Sequence, residues 1–331
     1  MDLMQYGVTH NIEDEVSYRF VAYLIGLLLA FESMLLLACC CVSIIYGERD
    51  LMSFIVSFAL CLSVSAILLV YGRRRKCAMS RNEGYIVVAL SWVFFSVFGM
   101  VPYLWGGFIP NITDAFFETM SGFTTTGATI LDNIESMPHG ILFWRSLTQW
   151  IGGLGIVCFT IVLLPGFGAS SQMLYLSEAT GVTHNKLYPK TRVMARYIFM
   201  VYILLTAIES ALLMAGGMGL FDALCHSMTT TATGGFSTKQ ESIAYWHSPY
   251  IEYVVSIFML LSAINFSLYI VAFKSKWKKL REFVELKWFA CSVGLLTLII
   301  SAVLFLNNGY SAEEAFRKSL FQVATCHTSC G

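Results

Sequence analysis

The chain has 331 residues, 57% of them apolar and only 13% charged, with 21 basic groups balanced by 21 acidic ones. Roughly half the charge of an ordinary soluble domain is missing, and the mean hydropathy is +0.68, so a water-soluble globule and a disordered chain are both excluded. The zero net charge leaves no basic excess to neutralise phosphates, which argues against a nucleic-acid partner. The composition is that of an integral membrane protein, with lipid as its surroundings.

Residues 1–17 are polar and acidic (Asp2, Glu13, Asp14, Glu15), the opposite of a basic leader peptide. Seven stretches then meet the length and apolarity of a spanning helix: Tyr18 to Tyr46, Leu51 to Tyr71, Tyr85 to Leu104, Leu142 to Leu164, Met194 to Met214, Tyr250 to Phe273, and Trp288 to Leu306. Helix is the only reading, because an open strand in lipid leaves its backbone polar groups unsatisfied. The ten cysteines suit small buried hydrophobes; Cys39, Cys40 and Cys41 are consecutive in an apolar run, and no C-x-x-C pair occurs.

The connectors differ in charge. Fifteen of the 21 cations fall in three of them, within 73–81, 186–196 and 274–287. The others carry acids such as Glu48, Asp50, Asp114, Glu118, Asp132, Glu135, Asp222, Glu241, Glu313 and Glu314. Basic connectors stay cytoplasmic, so the N-terminus is expected inside and the acid-bearing connectors outside.

Those outer connectors repeat one another. DAFFETMSGFTTTGAT (114–129), DALCHSMTTTATGGFST (222–238) and KSLFQVATCHTSCG (318–331) each read as a short amphiphilic helix followed by a small or hydroxylated tetrad ending in glycine. The tetrads are Thr124-Thr125-Thr126-Gly127, Thr231-Ala232-Thr233-Gly234 and Thr328-Ser329-Cys330-Gly331. Repetition at about this period means one unit reused, and repeats of the same orientation converge on an axis along the membrane normal. Non-helical backbone at membrane depth is tolerated where it is buried in protein or lines a water-filled cavity. A ring of backbone carbonyls can replace the hydration shell of a cation, with short-helix C-termini aimed at its path. Glu118 and Asp114 are expected at the mouth, concentrating cations.

Other residues invite a role. Glu32 and Glu209 are carboxylates inside spans. Arg145 either pairs with a pore-loop carboxylate and braces the loop or snorkels to the interface. The Gly152 to Gly155 cluster suits close packing of a helix against a filter loop rather than nucleotide binding, since no strand precedes it. His226 and His327 flank the loops beside Cys225, Cys326 and Cys330, a poor metal set. Asn111-Ile112-Thr113 is a glycosylation sequon with meaning only in a secretory eukaryotic host. A membrane-embedded enzyme would need clustered titratable groups, whereas the two glutamates well inside the spans are isolated.

SGFTTTGATIL (121–131), FWRSLTQWIGGLGIV (143–157), ATGGFST (232–238) and KWKKLREFVELKW (276–288) together resemble the Trk-type potassium-uptake proteins, the TrkH and KtrB family, from Tyr85 onward. The two spans before Tyr85 are similar to the N-terminal addition of the TrkH branch. The resemblance implies an all-α membrane protein with helix–pore loop–helix repeats around a pseudo-fourfold ion pathway, preceded by two extra helices. It implies a homodimer in the cell inner membrane, gated by a cytoplasmic nucleotide-binding subunit of the TrkA/KtrA kind. The transported ion would be K⁺, with no other cofactor, held by carbonyls of the twelve tetrad residues. A sodium-coupled or less selective cation pathway, or a non-conducting fragment, are the alternatives. The parts would be 1–83, 84–168, 169–275 and an incomplete third repeat, 276–331. Counted in repeats, the chain reads as interrupted inside its third loop, with about one hundred residues or more still to come.

Overall fold

The computed structural model describes residues 16–72, 81–155, 191–266, 268–269 and 283–330. Every regular element among them is helical. Helices α1 (Tyr18–Tyr46) and α2 (Leu51–Tyr71) coincide with the first two predicted spans and form a hairpin turned at Gly47, whose φ is 64°. Small polar side chains bind the pair: the Ser65 hydroxyl donates to the Gly26 carbonyl at 2.7 Å and the Cys61 thiol to the Leu29 carbonyl at 3.3 Å. Such bonds hold helices together where lipid removes the hydrophobic drive between them.

The third span runs from Asn82 to Trp105 as α3 (Arg81–Gly99) and α4 (Val101–Trp105), with Pro102 in the first turn of α4, where its missing N–H costs little. Helix α5 (Ile112–Phe123) follows, started by the Asn111 side chain accepting from the Thr113 N–H at 2.9 Å. After a 3₁₀ turn at Ile134–Ser136 comes α6 (His139–Gly153). The second unit repeats the order with α7 (Thr191–Ala215), α8 (Leu220–Thr231), a 3₁₀ turn at Ser242–Trp246, and α9 (Pro249–Ala263). The third has α10 (Val284–Asn308) and α11 (Ala312–Thr328).

Five of the predicted spans are therefore helices long and apolar enough to cross a bilayer. Two differ. In the run Leu142 to Leu164, α6 ends at Gly153, followed by Leu154 and the left-handed Gly155 (φ 73°), and 156–164 lie outside the described residues. The run Tyr250 to Phe273 breaks at Ile264, which turns extended with ψ 134°, while the Tyr269 hydroxyl donates to the helix-end carbonyl of Leu261 at 2.7 Å. The described helices α6 and α9 are 15 residues each.

One core joins α1, α3, α5 and α6 through Leu29, Phe95, Phe123, Trp144 and Ile151; a second joins α7, α8, α9 and α11 through Leu213, Ala223, Val255 and Ala324. On α10, by contrast, Leu298, Val303 and Leu306 face outward, as a helix does whose solvent is acyl chain. The expected boundary at 83/84 falls inside α3; those at 168/169 and 275/276, and most of the basic connectors, lie outside the described residues.

Candidate functional site

The three predicted loops share one backbone path. Helix α5 ends at Phe123, Thr124 caps it near φ −78°, and Thr125 turns left-handed at φ 54°. Helix α8 ends at Thr231, Ala232 caps it at φ −77°, and Thr233 turns at φ 54°. Helix α11 ends at Thr328, and Ser329 turns at φ 54°. The turn closes the same way each time: Thr126 N–H to Ser121 O at 2.9 Å, Gly234 N–H to Thr229 O at 2.8 Å, and Cys330 N–H to Thr325 O at 3.1 Å. These bonds satisfy helix-end carbonyls. A β-branched threonine at positive φ is uncommon and costs on the order of 1–3 kcal/mol, strain that collects at functional sites.

This path moves the second tetrad by one residue. Gly127 and Gly235 are the left-handed glycines, at φ 76° and 77°, so Ala232-Thr233-Gly234-Gly235 corresponds to Thr124-Thr125-Thr126-Gly127. Thr231, placed in the tetrad from sequence, closes α8 instead. Two adjacent glycines allowed either alignment, and the backbone angles decide it. The third tetrad keeps its predicted register, with Thr328, Ser329 and Cys330 at its first three positions; Gly331 lies outside the described residues.

Helix α6 locks the first two loops together. Arg145 is 1% exposed and Glu118 fully buried, and Arg145 Nε donates to Glu118 Oε1 at 2.9 Å. The other guanidinium nitrogens reach the Ser237 carbonyl at 3.0 Å and Thr129 Oγ1 at 3.2 Å, one on each loop. Glu118 in turn accepts from the Thr129 hydroxyl at 2.9 Å and the Ile130 N–H at 3.0 Å. The guanidinium also lies 4.3 Å from the centre of the Phe236 ring, a cation–π distance. One turn further along, Gln149 donates to the Gly234 carbonyl at 2.8 Å and accepts from the Phe236 N–H at 2.9 Å. A side chain on Gly152 would strike the Phe123 carbonyl, and one on Gly153 would come within 2.7 Å of Ala232 Cα. The glycines therefore let α6 backbone touch both loops, as their clustering suggested.

Arg145 is a brace, then, and Glu118 is not a mouth acid; its charge is spent on Arg145, while Asp114 remains half-buried in the first turn of α5. In the second unit His226 stands where Glu118 stands in the first, and its Nε2 meets Ser237 Oγ at 2.9 Å, as Glu118 meets Thr129. His226 is a buried loop support; His327 meets Ser292 Oγ at 3.2 Å, and no group of three His, Cys, Asp or Glu among the described residues is set to hold a metal. Glu209 is fully buried with Oε2 accepting from the Thr231 hydroxyl at 3.3 Å, and Glu32 is fully buried beside Gly99 and the Cys61 thiol. Sequence reasoning missed Gln149; the available signal was a polar residue four places after Arg145, on the same face of α6.

Residues 50–331 match the TrkH family, described as cation transport proteins. The Trk system potassium uptake protein TrkH of Salmonella typhimurium is 35% identical over 321 residues, covering 95% of this chain and 66% of that protein. The Trk system potassium uptake protein TrkG of Escherichia coli K12 is 33% identical over 318 residues, covering 95% and 65%. The crystal structure of the potassium transporter TrkH from Vibrio parahaemolyticus superposes with a TM-score of 0.80 at 33% identity, covering 94% of this chain and 64% of that one. The chain thus spans just under two thirds of the length of the relatives it matches. With the matched region reaching from residue 50 to residue 331 and carrying all three loops, the chain belongs to the TrkH family of cation transport proteins.

Proposed function

We propose that the chain forms most of the pore of a potassium uptake protein of the cell inner membrane, with its N-terminus cytoplasmic. The observation that carries this is the recurrence of one strained helix-end turn at Thr125, Thr233 and Ser329. Three such turns bring small-residue backbone to the ends of three short helices, whose negative ends favour a cation. The carbonyls of 124–127, 232–235 and 328–331, except that of Gly234, which is turned to Gln149, are the ligand set, and they replace water around a dehydrating ion. Relatives named as potassium uptake proteins favour K⁺ over a sodium-coupled or unselective pathway. The basic connectors support the orientation.

The reading divides the chain at 83, 168 and 275 into an N-terminal hairpin and three pore units. It includes a homodimer and a cytoplasmic nucleotide-binding regulatory subunit, as the family resemblance implies. The test is potassium-limited growth and uptake in cells without their own potassium uptake, using the complete encoded protein. Gly127→Ser and Gly235→Ser abolish uptake while the protein still reaches the membrane. Wild-type uptake in both variants would refute the ligand assignment.

A further inference from the structure

Gln149 is fully buried on the face of α6 that carries Arg145 four residues earlier. Its two bonds, to the Gly234 carbonyl and the Phe236 N–H, straddle Gly235, the left-handed residue of the second loop. One donor and one acceptor are required there, and a side-chain amide supplies both; a carboxylate lacks the donor and a thioether lacks the N–H donor altogether. The Gly234 oxygen is also where a side chain on Gly127 would land. It is therefore wedged between the Gln149 amide and the Cα of Gly127, at a point where the first two loops meet.

Glycines on both sides of the Gly234–Gly235 peptide leave its plane free to rotate, because neither carries a Cβ. Rotation would swing the oxygen between the α6 side and the pathway. Counted from the first residue of each helix, the position of Gln149 in α6 is taken in α9 by Met259, and that of Arg145 by Val255. The amide clamp belongs to the first junction alone among the described residues. We infer that Gln149 is a positioning residue that fixes the Gly234–Gly235 peptide and thereby sets the cation preference of the pathway. This rests on the reading of the loops as a potassium filter. With the Gly234 oxygen held toward α6, the coordinating ring at that level is asymmetric, and preference for K⁺ over Na⁺ depends on the clamp keeping it so.

The experiment compares K⁺ and Na⁺ uptake, each normalised to protein in the membrane, for Gln149→Met and Gln149→Glu in the complete encoded protein. Gln149→Met keeps the length and loses both bonds; Gln149→Glu keeps the shape and the acceptor for Phe236. The expected result is a fall of about tenfold in the K⁺/Na⁺ uptake ratio with protein still in the membrane, the equilibrium shift one buried hydrogen bond commonly governs. A wild-type ratio and wild-type KM for K⁺ in both variants overturns the inference. So does failure of both to reach the membrane, which would make Gln149 a folding residue. Gly235→Ser run alongside separates the two readings: if it leaves uptake intact the filter assignment fails, whereas lost uptake with unchanged Gln149 ratios sinks only the clamp.

Discussion

The junction between the first and second loops and that between the second and third are built from the same kind of unit but locked differently. At the first, α6 inserts the buried side chains of Arg145 and Gln149 between the loops, where they hold Glu118, Thr129, Gly234, Phe236 and Ser237. At the second, α9 offers Val255 and Met259, and the polar tie moves outward. Arg317 of α11 pairs there with Glu252 of α9 and, at 3.0 Å, with Glu313, while Tyr253 reaches Glu313 at 3.2 Å. Inside, among the described residues, sulfur contacts cross: Thr325 Oγ1 to Met259 Sδ at 3.4 Å and Cys330 Sγ to the Thr230 carbonyl at 3.9 Å. Repetition of a backbone path does not carry repetition of its support.

The largest effect that would test this contrast comes from Arg145→Ala. It strands Glu118 without a counter-charge at zero exposure, which costs about 3–5 kcal/mol. Thermal unfolding of the detergent-solubilised protein should move down sharply, or the protein should fail to accumulate. An unchanged midpoint would remove the ion pair from the account. Next comes Gly152→Ala, whose methyl lands on the Phe123 carbonyl; overpacking there costs about 1–3 kcal/mol. The matched position in α9 is Ser262, whose buried hydroxyl has no partner among the described residues, so Ser262→Ala should be neutral or slightly stabilising. Equal losses at both positions would contradict the asymmetry.

Of the destabilising substitutions, Arg317→Ala has the smallest effect. Its partners Glu252 and Glu313 are 21% and 56% exposed, and an ion pair at such a rim is worth about 1 kcal/mol or less and weakens with salt. Its unfolding shift should shrink as ionic strength rises, while that of Arg145→Ala should hardly change.

Much of this was legible in the sequence. The termini of α1 and α2 were readable to the residue because a bilayer demands about twenty apolar residues and the connectors are abruptly polar. The loops were readable because Thr, Ser and Gly stand out against apolar spans. Hydropathy could not place the ends of α6 and α9, since Leu and Val beyond Gly153 and Ala263 look the same whether or not the helix continues. Nor could it fix the second tetrad, because T-x-x-G fits at 231–234 while φ 77° belongs to Gly235. Glu118 looked like a mouth acid because its partner Arg145 sits 27 residues later, across a loop whose path is tertiary. The correspondence of Glu118 with His226 was available from aligning the repeats.

The most direct test of the central claim is anomalous diffraction from crystals of the complete encoded protein grown with rubidium in place of potassium. The account predicts anomalous peaks on the axis between the three loops 124–127, 232–235 and 328–331, displaced by potassium and not by an equal concentration of sodium. Peaks confined to other places, or none at all beside a well-ordered protein, would contradict it.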